Sequence, residues 1–478
     1  MSTFHGLEMA KKALFTQQSA IHTTGHNISN ANTEGYSRQR VNFEASSPYP
    51  PASRNRPQIP GQIGTGVEAG SVERIRNQYL DVQYRGENGK AGFWEAKAGA
   101  LSRMENILNE PSETGLAHSM DQFWQSLQDL SVNPENTGAR RVVMERGEAV
   151  AETFRYLSDS ISGVRDDLRH EMETTVDRVN SLASQIHEIN QQVKQSETHG
   201  YTANDMYDRR DKLIDELSGI LDISVSYDNS HASSKIADGI VSIDIKGNNG
   251  ASLKLLEDGK DPANLSLKET EGGSMQVTVG GEPLGMNGSS GSLSGMIKAH
   301  DEDARNLLVA LDNMAAGFVS EFNQVHKAGT DLEGEQGGSF FEISDGTASS
   351  IKVALGDPNK IAAGLNGTAG DGANARNLAD VFDRKLEGLD NKSVKGFYEA
   401  EIGKLGVEAQ EANRMAENTD VLRSQVENQR MSVSGVSLDE EMSNMIKFQH
   451  AYNAAARSMT VTDELLDRII NNMGLAGR

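Results

Sequence analysis

The chain has 478 residues, enough for about two to four domains, yet only 36% are hydrophobic and 5% aromatic. With 24% charged residues this describes a slender, surface-rich molecule rather than a compact enzyme. A formal charge of -23 works against nucleic acid and anionic membranes as partners. The absence of cysteine excludes disulfides, thiolate metal sites and cysteine nucleophiles.

No run of about 18 apolar residues suits a membrane span. The N-terminal segment also lacks the apolar core and cleavage site of a secretory signal. It instead has a 3.5-residue rhythm: Leu7, Leu14, Ile21 and Ile28 form one row, and Ala10, Gln17, Thr24 and Ala31 the other. Such a weakly apolar helix is unstable alone and needs a partner. It runs into "HNISNANTEGYSRQR", which concentrates Asn27, Asn30, Asn32, Gly35, Tyr36, Ser37 and Arg38. Asn30 and Asn32 suit a helix end, Gly35 a positive φ, and Tyr36 a ring anchor with a bonded hydroxyl. Arg38 and Arg40 are placed to pair with acidic neighbours, so the stretch reads as a hinge. Residues 44–66 then hold five of the ten prolines and form an extended connector.

Helical patterns follow over about 77–108 and 116–130, and one very long helix over about 138–195. Its apolar stripe includes Phe154, Leu157, Ile161, Leu168, Met172, Val179 and Ile186, with Gly147 and Gly163 as mild interruptions. "NDMYDRRDKLIDELSGIL" adds another helix. From 222 to 297 alternating apolar residues between Gly, Asn and Asp turns predict a small β-rich insert. Helix is expected again over about 301–325 and 393–428.

At the C-terminus, Ser437 and Glu440 have capping-box spacing. A second seam follows: Met445, Tyr452, Met459, Leu466 and Met473 in one row, and Phe448, Ala455, Thr462 and Ile469 in the other. The two terminal helices are therefore expected to pair with each other and with copies of themselves. The layout is nested and mainly α. Residues 1–35 and 437–478 form an inner coiled-coil domain; 36–221 and 298–436 form a helical bundle with an extended connector; 222–297 form the β-rich insert.

Candidate chemistry is sparse. His22 and His26 have a helical metal-pair spacing but no glutamate between them, and read as exposed polar histidines. "GTAGDG" lacks the lysine of a phosphate loop. Asp205, Asp208 and Asp211 beside Arg209 and Arg210 read as surface ion pairs. "TDLEGEQGG" lacks the spacing of a calcium loop. No catalytic, cofactor or metal site is expected.

"NISNANTEGYSRQR" and "SLDEEMSNMIKFQHAYNAAARSM" together resemble the two ends of bacterial flagellar axial proteins. "GYSRQR" and "SGVSLDEEM" resemble the hook–filament junction subunits among them, as do "RNQYLDVQYR", "NDMYDRRDKLIDELS" and "FNQVHKAGTDLEG…FF". Where such turns commonly have proline before the glycine, this chain has Glu34, which should loosen the joint. The resemblance implies export through the flagellar type III apparatus. It also implies self-association into a ring of about eleven subunits, a closed heterologous assembly. Implied partners are the hook protein, the second hook-associated protein and a cytoplasmic chaperone at the C-terminal helix. A hook or rod subunit, or a secreted coiled-coil adhesin, is the alternative.

Overall fold

A computed structural model describes residues 4–472, apart from 51–53, 55–59, 109–114, 235, 248–251 and 287. Met473, the last expected seam position, lies outside the described residues. The elements run α1 (His5–Ser29), β1 (Gln39–Ala45), β2 (Val67–Arg74), α2 (Gln78–Leu108), α3 (Leu116–Val132), α4 (Thr137–Thr198) and α5 (Asn204–Ile220). Six strands follow: β3 (Ile223–Asp228), β4 (Ile240–Lys246), β5 (Ser252–Leu256), β6 (Leu265–Glu269), β7 (Met275–Val279) and β8 (Glu282–Leu284). The rest comprises α6 (Ser292–Lys298), α7 (Arg305–Ala328), β9 (Phe341–Ile343), β10 (Ile351–Val353), α8 (Ala373–Asp380), α9 (Val394–Ser434) and α10 (Leu438–Asp467). No helix among the described residues is long and apolar enough to cross a membrane.

The 62-residue α4 is the spine. Asn136 caps it, its side chain accepting from Gly138 and Ala139 N–H. Its buried stripe recurs at helical spacing from Val143 to Val193. Helices α2, α5, α7 and α9 pack around it or one another. Gly147 is a packing requirement and not a weakness, because a Cβ there would stand 2.7 Å from the Phe340 ring. That ring belongs to an aromatic cluster with Phe123, Phe318, Phe322, Phe341 and Phe382. It closes the end of the bundle nearest the start of α4.

The "FNQVHKAG" stretch builds this end. Asn323 Oδ1 accepts the N–H groups of Phe340 and Phe341 at 2.8 and 3.0 Å. His326 lies buried between Gly338 O at 2.8 Å and Ala362 N at 3.0 Å. The Ala362 N–H fixes Nε2 as acceptor, so Nδ1 carries the proton. Burial lowers the His326 pKa against the pull of Gly338 O and Asp331.

The strands form two antiparallel sheets, β3-β4-β5 and β6-β7-β8, as alternation predicts. They lie along α4 and share one apolar core with the bundle. Two α4 asparagines stitch the contact: Asn180 bonds Leu265 N and O at 2.8 and 2.9 Å, and Asn190 bonds Val241 N and O at 3.2 and 2.8 Å. Helix resumes at Ser292, not near 301, and passes through a π-helical turn, Ala299–Ala304, into α7. The serine- and glycine-rich start of α6 hides this helix in the sequence. Its Leu293, Met296 and Ile297 are nevertheless fully packed.

At the opposite end of α4, α1 and α10 lie antiparallel. A side chain at Gly6 would meet Thr462 at 3.7 Å, and one at Gly25 would meet Met445 at 3.9 Å. The connector returns as the β1–β2 ribbon, paired antiparallel from Gln39–Arg74 to Ala45–Val67 with a register shift between Asn42 and Phe43. It covers a second face of α1, where Thr16 donates to Val67 O at 3.2 Å.

Candidate functional site

Leu7, Leu14, Ile21 and Ile28 on α1 are half-buried, as are Met445, Phe448, Tyr452, Met459 and Leu466 on α10. Ile469 is exposed. Phe448 also meets Phe43 of the ribbon edge-on at 5.9 Å. A pair of helices thus buries each seam only in part. Two further α10 apolar pairs, absent from the sequence reading, are exposed: Met442 with Ile446 near its start and Val461 with Leu465 near its end. The i, i+4 steps from 442 to 446 and from 461 to 465 are the signal that finds them.

The "HNISNANTEGYSRQR" stretch joins this pair to the bundle. Asn27, buried in the last turn of α1, uses its whole amide. Nδ2 donates to Gln39 O and Glu441 Oε2, both at 2.8 Å. Oδ1 accepts from the Tyr36 hydroxyl at 2.8 Å and Gln39 N at 3.0 Å. His26 Nδ1 bonds the Tyr36 oxygen at 2.9 Å, while His22 stays exposed, so the two histidines do not converge. Because the Tyr36 hydroxyl donates to Asn27, His26 must donate to Tyr36. Burial, with Asp205, Asp208 and Glu441 nearby, raises the Tyr36 pKa.

Asn30 closes the helix end, donating to His26 O at 3.0 Å and accepting from Thr33. Asn32 is exposed. Gly35 has φ +80, which a side chain would resist. Beside it, exposed Glu34 pairs with Lys212 at 2.7 Å, and that hydrogen bond lowers the Glu34 pKa. Ser37 N–H reaches Asp208 at 3.0 Å. Arg38 grips α10 through Glu440 at 2.7 Å and Glu441 at 2.9 Å. The expected capping box is therefore not formed: Ser437 occupies the N-cap without a side-chain bond, and Glu440 turns to Arg38.

Below this clasp lies a buried ionic hub. In "DMYDRRD" only Asp205 and Arg209 lie at the surface; Asp208, Asp211 and Arg210 are buried and are not surface pairs. Asp211 takes Arg74 at 3.0 Å, Arg76 at 2.7 Å and Arg85 at 3.4 Å. Arg85 Nε also binds Asp215 at 2.8 Å, Arg76 binds Asp81 at 2.6 Å, and Arg430 joins Asp215 to Asp81. Arg74 further meets Asp208 at 2.7 Å and Asp238. Burial pushes the Asp211 carboxyl up, but Arg76, Arg74, Arg85 and Arg210 overcome it and hold the group well below the usual carboxylate range. Asp208, facing Arg74 and the Ser37 N–H, is raised by burial. Tyr84 lies under the Arg430 guanidinium at 4.1 Å, and Tyr207 under that of Arg74 at 4.9 Å. Five chain segments, β2, α2, α5, the β3–β4 loop and α9, are tied here by charge.

Elsewhere, Asp331, Glu333 and Glu335 converge, but Lys360 Nζ stands among them at 3.2, 2.8 and 3.0 Å. The ammonium fills the place a cation would take.

Comparison with known proteins places these features. The model for the flagellar hook-associated protein FlgK helical domain matches residues 101–341. The flagella basal body rod protein model matches 7–36, and the flagellar basal body rod FlgEFG C-terminal model matches 427–473. These end segments contain α1 with the clasp asparagines, and α10. Flagellar hook-associated protein 1 of Bacillus subtilis is 45% identical over the full length of both chains. That of Escherichia coli is 23% identical over 97% of this chain and 98% of its own. The flagellar hook junction protein FlgK of Burkholderia pseudomallei shares the fold, with a TM-score of 0.65 at 14% identity, covering 74% of this chain and all of that one. With the helical core, both termini and the full length in agreement, the chain belongs to the flagellar hook-associated protein 1 family of structural hook-junction subunits.

Proposed function

We propose that the chain is the adaptor on which the filament is built at the end of the hook. In this reading it passes unfolded through the type III export apparatus. It then closes into a ring of about eleven copies, as a rotationally closed heterologous interface allows. One face of the ring meets the hook protein and the other the second hook-associated protein, outside the cell. A cytoplasmic chaperone covers the C-terminal helix before export; methionine-rich faces such as that of Met442, Met445 and Met459 suit more than one partner. The role is structural, without catalysis.

The observation that carries the reading is the pairing of α1 with α10 at one end of the bundle, with both seams only half covered. A subunit finished as a monomer would bury them. The rod-type matches at both ends also favour a hook or rod subunit as a second reading. A deletion strain separates the two. Electron microscopy should show complete hooks without filaments, restored by the intact gene and not by hook or rod genes. Loss of the hook itself overturns the junction assignment.

A further inference from the structure

We propose that Glu441 is the positioning residue of a fixed elbow between α9 and α10, held from the N-terminal segment and not by α9 itself. Helix α9 stops at Ser434, where the Gly435 N–H closes on Met431 O at 2.8 Å. The chain is then extended at Gly435, with φ -71 and ψ 155, and at Ser437, with φ -87 and ψ 111. Nothing in that backbone prevents α10 from swinging. Beyond the elbow α10 leans on α1 through a half-buried seam, but at the elbow it is anchored by Glu441, which at 2% exposure is its one buried residue among those described.

The Glu441 carboxylate accepts Asn27 Nδ2 at 2.8 Å and Arg38 Nε at 2.9 Å. Charge-assisted bonds shielded from water are stronger than those at an exposed surface. A carboxylate in the first turn is also favoured by the helix N-terminus. Arg38 completes the elbow: its backbone N–H donates to Ser434 O at 2.8 Å, in the last turn of α9. One residue of the returning chain therefore holds the end of α9 with its backbone and the start of α10 with its side chain.

Asn27 is itself immobile. Its amide cannot flip without setting Nδ2 against the Gln39 N–H and Oδ1 against Gln39 O and the Glu441 carboxylate, losing three of its four bonds. The angle at which the terminal pair leaves the bundle is thus set by Asn27 and Arg38 through Glu441.

The absence of cysteine makes a direct test clean. Spin labels on cysteines replacing exposed Gln410 of α9 and Ser458 of α10 report the elbow as a distance distribution in the full-length monomer by pulsed electron resonance. The parent should give one narrow distribution. Glu441→Ala should broaden it by about a factor of two as the local hold is lost. Asn27→Ala should also broaden it, and the double variant should fall short of the sum of the two, since the Asn27–Glu441 contact is common to both. Arg38→Ala should also broaden it. Thermal unfolding of the bundle should be unchanged throughout. A broad distribution in the parent, a narrow one in Glu441→Ala, or additive broadening in the double variant overturns the proposal. The measurement concerns the free chain, so its failure leaves the junction assignment standing, and the reverse.

Discussion

Asp211 and His326 carry opposite electrostatic problems. Asp211 is an ion held charged by three guanidinium contacts; breaking a buried ion pair costs up to about 3–5 kcal/mol, less here because Arg74, Arg76 and Arg85 keep Asp208, Asp81 and Asp215. Asp211→Asn should therefore lower the urea midpoint of the bundle, while exposed Asp205→Asn should leave it nearly unchanged; equal midpoints for parent and Asp211→Asn would contradict the hub. The depressed Asp211 pKa sets the pH direction: its stabilisation is complete above about 3.9, the unfolded value, and is lost as pH falls further towards the folded one. His326 is kept neutral by burial, so its folded pKa is also depressed. Its contribution is complete above about 6.5 and falls as pH drops below that value, because the unfolded imidazole takes the proton first. Urea midpoints at pH 7.5 and 5.5 should differ for the parent, and the difference should shrink in His326→Gln, which keeps a donor and an acceptor. An unchanged difference would place the titration elsewhere. Neither role is visible in sequence. "DMYDRRD" reads as a solvated run because its partners, Arg74, Arg76 and Arg85, lie more than a hundred residues away.

At the scale of elements, local periodicity was legible and sharing of faces was not. Apolar residues at helical spacing are enough to place α2, α4 and α5, because each buries its own stripe, and α10, whose stripe is half-buried. The start of α6 was missed because its residues Ser292, Ser294 and Gly295 carry no stripe; packing against α2 overrides their weak propensity. The terminal seams appear in sequence as spacing alone, which does not show that α1 also buries Thr16, Ala20 and Thr23, outside both rows. A seam half covered in one chain predicts graded order. Ends far from the clasp should open first, so limited proteolysis of the monomer should cut residues 4–15 and 455–472 well before α4. Equal resistance across the chain would remove the argument that assembly completes the fold. Ile21→Asp places a charge against the α10 seam without touching the bundle core. It should abolish filament growth in cells while the purified protein keeps its bundle melting transition, and normal filaments on that variant would show the seam to be dispensable.

For the whole molecule, the charge of -23 and the apolar stripes pull in opposite directions. Copies brought side by side repel at long range, and the exposed residues of α10, Met442, Ile446, Val461 and Leu465, attract only on contact. The nested chain eases this conflict by gathering both termini at one end, where Arg38 and the hub arginines neutralise their carboxylates internally. Self-association should then be limited by repulsion and not by lack of adhesive surface. Raising salt from about 10 mM to about 150 mM shortens the screening length from about 30 Å to about 8 Å, which weakens repulsion and leaves apolar burial intact. Sedimentation velocity should therefore show oligomers of the purified chain growing with salt across that range, and Ile446→Asp together with Leu465→Asp should abolish the growth. Oligomers that dissolve as salt rises would mean that copies are held by surface ion pairs, and that the stripes serve another partner.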